Sequence, residues 1–158
     1  MSKKLLTLTA IGALIAGILI ANWLRSDFKT LAGESHRWQD FQGDWVVVNY
    51  FAEWCAPCLK EVPELNQFNQ QIAGRNMHLF AVSWDALSNT ELTVIQQRYA
   101  MQFSLLSSQP PPQMPFAKPA QLPATFILSP KGELVKTLLG EQTSESLLQQ
   151  LQTLALTE

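Results

Sequence analysis

The run Trp45-Val46-Val47-Val48-Asn49-Tyr50-Phe51 is almost uninterruptedly apolar and rich in β-branched residues, and it leads directly into Trp54-Cys55-Ala56-Pro57-Cys58. A strand of this kind is buried on both faces and belongs in the middle of a covered sheet. A helix should follow the cysteines: Pro57 is acceptable in a first turn, and Leu59, Val62, Leu65, Phe68 and Ile72 repeat at helical spacing. Pro63 should kink it. The strand therefore delivers Cys-x-x-Cys to a helix start, where unpaired backbone N–H groups favour a thiolate on the first sulfur. The thiolate is the form that attacks disulfides, so the placement points to a thiol–disulfide redox site.

The rest of the chain continues the alternation. His78 to Ser83 reads as a second buried strand after the Gly74-Arg75-Asn76 break. Ser88 and Glu91 make a capping-box pair for a helix whose apolar face is Leu92, Ile95 and Tyr99. The order β-α-β-α predicts an α/β domain with parallel strands joined by right-handed crossovers. Ser107 to Gln121 holds five prolines, at 110, 111, 112, 115 and 119, and should be an extended loop. Ala124 to Leu128 and Leu134 to Leu138 should pair as a hairpin across Pro130-Lys131-Gly132. A closing helix carries Leu147, Leu151 and Leu154, and no internal repeat is present.

With 158 residues, 47% of them apolar, the chain has room for one domain and a short appendage. The appendage is the uncharged segment LLTLTAIGALIAGILIANWL, residues 5–24, preceded by Lys3 and Lys4. Twenty helical residues rise roughly 30 Å, about one hydrocarbon thickness. No clean Ala-x-Ala site follows, and the apolar length suits a span better than a signal h-region, so an uncleaved anchor is favoured over a cleaved signal. Either reading implies export. The basic N-terminal flank favours keeping that end in the cytoplasm. The expected organisation is an anchor over 1–25, a polar tether over 26–36 and a folded domain over 37–158, facing the bacterial periplasm from the inner membrane. Beyond residue 30 lie seven bases and twelve acids without a basic stripe, which gives no support to a nucleic-acid partner.

Cys-x-x-Cys also describes half of a zinc site. Completing one would need further ligands, and the chain offers only His36 and His78, neither placed for it, so no metal is expected. An inert structural disulfide is a poor alternative, because so short a loop restrains the unfolded chain little. No nucleotide or flavin motif is present, so no cofactor is expected.

The segment Asn49-Tyr50-Phe51-Ala52-Glu53-Trp54-Cys55-Ala56-Pro57-Cys58, with Pro63 five residues on, resembles the active-site segment of thioredoxins, and Leu122-Pro123-Ala124-Thr125-Phe126 resembles their second signature. With the anchor, the chain is most similar to membrane-anchored thiol:disulfide oxidoreductases of the TlpA/ResA type, over roughly residues 36–156. The resemblance implies a thioredoxin fold with a central mixed sheet flanked by helices. It implies Cys55 as the exposed nucleophile, Cys58 as the buried resolving thiol, and a cis-Pro123 that, with Leu122, meets an extended substrate segment. Trp54 either covers the sulfurs or merely packs. The implied partners are disulfide-containing exported proteins and a membrane electron donor, with the bilayer contacted through residues 5–24.

Two departures stand out. Thioredoxins usually carry a buried aspartate where this chain has Asn49, which cannot act as a base, and Glu53 is a candidate substitute if it is not simply a solvated charge. The proline-rich loop replaces a shorter element and is expected to reshape the partner groove. Ala56 and Pro57 bring neither charge nor imidazole to Cys55, which leans toward a reductant. The rivals are a disulfide donor or isomerase on the same fold, and a Cu(I) carrier using both thiolates.

Overall fold

The computed structural model describes residues 26–156, together with Ala13, Leu14 and Gly17. The expected anchor therefore lies, but for those three residues, outside the described part. Among the described residues no helix is long and apolar enough to cross a membrane.

Five strands form the central sheet: β3 (Trp45–Phe51), β4 (Met77–Ser83), β5 (Ser104–Leu105), β6 (Ala124–Leu128) and β7 (Leu134–Leu139), in the order β5-β4-β3-β6-β7. β4 runs parallel to β3 and β5 parallel to β4, whereas β6 and β7 are antiparallel to their neighbours. The sheet is mixed, and β3 is central and buried along its whole length, as its apolar run requires. The β6–β7 turn needs a left-handed residue, and Gly132 supplies it at φ +80°.

Within the described residues 26–156 there are four α-helices: α1 (Ala56–Lys60), α2 (Val62–Ile72), α3 (Asn89–Arg98) and α4 (Ser144–Ala155). The expected kink falls at Glu61, two residues before Pro63, where helical hydrogen bonds continue on either side. The chain leaves α1 at Glu61 and restarts in α2, with the proline in the new first turn where its missing N–H costs nothing. Ser88 caps α3 as expected, accepting from the Glu91 N–H at 3.2 Å.

The two faces of the sheet are covered differently. Trp45, Val47 and Phe51 share a cluster with Val62, Leu65 and Phe68 of α2, Leu92 and Ile95 of α3, and Leu147 and Leu151 of α4. The opposite cluster, built on Val46, Val48, Tyr50, Phe80, Val82 and Phe126, contains no helical residue of α1 to α4. Among the described residues the expectation of a sheet flanked by helices is thus met on one face only. Short elements and loop cover the other: Phe41 of a 3-10 turn (Trp38–Phe41), Phe28 of a two-residue strand, and Met114 and Phe116 of the proline-rich loop. Phe116 stacks on Phe126 with ring centroids 4.2 Å apart.

The expected tether is corrected as well. Phe28–Lys29 (β1) and Ser35–His36 (β2) form a small antiparallel hairpin, and Phe28 is buried against Phe80 and Phe41. The Leu31 N–H donates to the Leu105 carbonyl and covers the edge at β5. Sequence polarity hid this, because one buried aromatic is enough to dock so short an element.

Candidate redox site

Register decides what meets at the end of β3. Phe51 is level with Ser83 of the parallel β4, and Tyr50 is level with Ala124 of the antiparallel β6. The C-terminal ends of β3 and β4 and the N-terminal end of β6 therefore share one edge. That edge gathers Cys55, the Trp84-Asp85 turn and the Leu122-Pro123 step.

Cys55 is the residue before α1, and the Leu59 N–H donates to its carbonyl at 3.2 Å. It is joined to Cys58 in a disulfide with Cα atoms 5.3 Å apart. Cys58 is buried as expected, but so is Cys55, at 5% exposure. In the bonded pair the first sulfur turns inward to its partner, while Ala56 and Pro57 stand exposed. Trp54 is 67% exposed, and its indole N–H donates to Asp85 Oδ2 at 2.8 Å. It is therefore not a packing residue; it is an open aromatic surface fixed beside the disulfide. The Leu122–Pro123 peptide is cis, and Leu122 is half-buried against both clusters.

Glu53 does not fill the place of the missing acid. It lies at the surface in an ion pair with Arg98. Among the described residues the buried acid is Glu61, three residues after Cys58 and only 2% exposed. Its Oε1 accepts from Asn49 Nδ2 at 2.8 Å and its Oε2 accepts from the Gln142 N–H at 2.9 Å. Burial pushes its carboxyl up to about 7, against the pull of those two hydrogen bonds, and Glu141 nearby adds to the rise. Such a group can accept a proton near neutrality. The sequence did carry a signal for it. Positions 58, 61, 65, 68 and 72 form one helical stripe, and an acid on an apolar stripe next to Cys-x-x-Cys is anomalous.

His78 bonds Asp44 at 2.8 Å near the start of β3, and His36 lies in the β1–β2 hairpin, both away from the cysteines. Among the described residues no group of three or more His, Cys, Asp or Glu is arranged to hold a metal ion.

The proline-rich loop adds a wall beside this edge. Lys118 Nζ lies 4.0 Å above the Trp84 ring and donates to the Trp84 carbonyl at 2.6 Å. Between the loop and the sheet opens a cavity of about 320 Å³, lined by Tyr50, Trp84, Asp85, Pro112, Met114 and Phe116 among others.

Residues 25–137 match the AhpC/TSA family. The chain belongs to that family. The chain is 25% identical over 144 residues to thiol-disulfide oxidoreductase ResA of Geobacillus thermodenitrificans, covering 90% of this chain and 79% of ResA. It is 28% identical over 125 residues to thioredoxin-like protein YneN of Bacillus subtilis, covering 78% and 72%. Among solved structures, StoA from Bacillus subtilis matches with a TM-score of 0.65 and 24% identity, over 77% of this chain and 92% of StoA. This AhpC/TSA member is a thioredoxin-like protein of the TlpA/ResA type and a thiol:disulfide oxidoreductase.

Proposed function

We propose that this chain reduces disulfides of exported proteins through Cys55 and Cys58, tethered to the inner membrane by residues 5–24 and facing the periplasm. The observation that carries the reading is the Cys55–Cys58 pair at the sheet edge beside cis-Pro123, with a buried carboxylate of raised proton affinity behind Cys58.

The chemistry runs from the dithiol. The Cys55 thiolate attacks one sulfur of a partner disulfide, and the other partner sulfur leaves as a thiolate. Cys58 then gives its proton to Glu61, and its thiolate attacks Cys55 Sγ. The Cys55–Cys58 bond forms, the mixed disulfide breaks, and the partner's second sulfur leaves. Two electrons pass to the partner, and a donor in the membrane must return them. Trp54 and Leu122 flank the route a partner segment takes to Cys55, and Pro123 holds the chain turn that shapes it.

Direction is set by potential. The uncharged Ala56-Pro57 pair leaves the thiolate with only local dipoles for support, which favours a reductant. Equilibration of residues 26–158 against dithiothreitol or glutathione buffers should give a value near thioredoxin's, about −270 mV. A value near about −120 mV would make the protein a disulfide donor instead.

A further inference from the structure

We propose that Asn49 is the positioning residue for Glu61 and serves it in both protonation states, as donor to the carboxylate and as acceptor from the acid. The proposal rests on the reading that Glu61 takes the Cys58 proton.

Asn49 is 1% exposed, on the face of β3 turned toward the cysteines, and its Nδ2 makes two contacts, 2.8 Å to Glu61 Oε1 and 3.1 Å to Thr125 Oγ1. Both amide hydrogens are therefore committed. Thr125 is itself fully buried, two residues beyond cis-Pro123. The other Glu61 oxygen receives the Gln142 N–H. Glu61 thus faces donors alone, an arrangement complementary to a carboxylate.

Once Glu61 takes a proton, its O–H needs an acceptor. The Gln142 N–H cannot be one. The Asn49 amide can: turned over, it places Oδ1 where Nδ2 was, and the two lone pairs accept from both Glu61 and the Thr125 hydroxyl. An ionised aspartate at 49 would accept but not donate and would repel the Glu61 carboxylate, and leucine would do neither. The remaining charged groups around Glu61 are already engaged or lie outward. Glu141 is paired with Lys60 at 2.7 Å, and Glu64 accepts from the Ser144 N–H at 2.9 Å. Asn49 is the neighbour left to follow the proton.

The test uses the reduced full chain carrying Asn49→Leu, Asn49→Asp or Thr125→Val, each alone and combined with Glu61→Gln. Two quantities are followed against pH: the infrared band of the protonated carboxyl and the rate of exchange with a protein disulfide. Asn49→Leu should move the Glu61 titration upward by about one unit, tenfold in ionisation constant, by removing a hydrogen bond to a charged group. Asn49→Asp should give two coupled carboxyl steps. In the Glu61→Gln background, Asn49→Leu should leave the pH profile where it is. A Glu61 titration unmoved by Asn49→Leu, or an equal profile shift in both backgrounds, would overturn the proposal. Should Asn49→Leu fail to fold, the near-isosteric Thr125→Val, which takes away the second partner of the Asn49 amide without adding charge, decides it by the same criterion. Failure of the underlying reading looks different: Glu61→Gln alone would then leave the rate and its pH profile unchanged.

Discussion

Glu61 titrates against its own burial, and this couples the chemistry of one residue to the stability of the fold. Folded, its carboxyl is pushed up to about 7; unfolded, it returns to its ordinary value of 4.5. Below the lower value both states hold the proton and the contribution is complete. Between the two, the folded chain keeps a proton that the unfolded chain has released, so stability falls as pH rises, by about 3 kcal/mol in all. Urea denaturation of the oxidised protein should show that decline between about pH 4.5 and about pH 7, and Glu61→Gln should flatten it. Equal slopes in both proteins would place the carboxyl at its ordinary value. The sulfurs make a separate prediction: Cys55→Ser should abolish exchange, and Cys58→Ala should accumulate mixed disulfides visible on non-reducing gels. Release of Cys58→Ala adducts as fast as in the parent would remove Cys58 from the resolving role.

Among the elements, those whose pattern is set locally were readable and those set by distant contacts were not. β3, β4, α3 and the β6–β7 hairpin stand where periodicity, capping and turn residues put them. The cis-proline step was inferred from its motif, and the disulfide pair from its spacing. Glu61 was missed although it sits on an apolar helical stripe, because its depth is set by α2, α4 and Asn49 closing around it, contacts the stripe alone does not reveal. The β1–β2 hairpin was missed for the same reason, since its strands are two residues each and its place is fixed by Phe28. That gives the hairpin a measurable weight. Phe28→Ala should lower stability by about 3 kcal/mol, the usual cost of emptying a buried aromatic site, with exchange activity of the folded fraction retained. A loss below about 0.5 kcal/mol, the range of surface substitutions, would mean that the hairpin is only laid against the sheet.

At the scale of the whole molecule, the docked hairpin changes what a membrane attachment would mean. Were residues 26–36 a free tether, the catalytic domain could swing widely above the bilayer. With Phe28 locked into the sheet and the Asp27 N–H donating to the His36 carbonyl, only residues 25 and 26 lie between the end of the apolar segment and the folded body, a reach of roughly 7 Å. The entry point is tied in turn to the proline-rich loop: the Gln113 N–H donates to the Asp27 carbonyl at 2.8 Å, and the Trp38 indole donates to the Gln113 carbonyl at 2.6 Å. Inserting a ten-residue Gly-Ser linker after Arg25 should therefore alter exchange with a membrane-bound electron donor while leaving exchange with a soluble disulfide peptide unchanged; equal rates with the donor would argue against a constrained pose. On so short a leash, a membrane-held domain would behave less like a tethered float than like a bracketed tool, presenting one preferred side to whatever slides past in the plane of the bilayer.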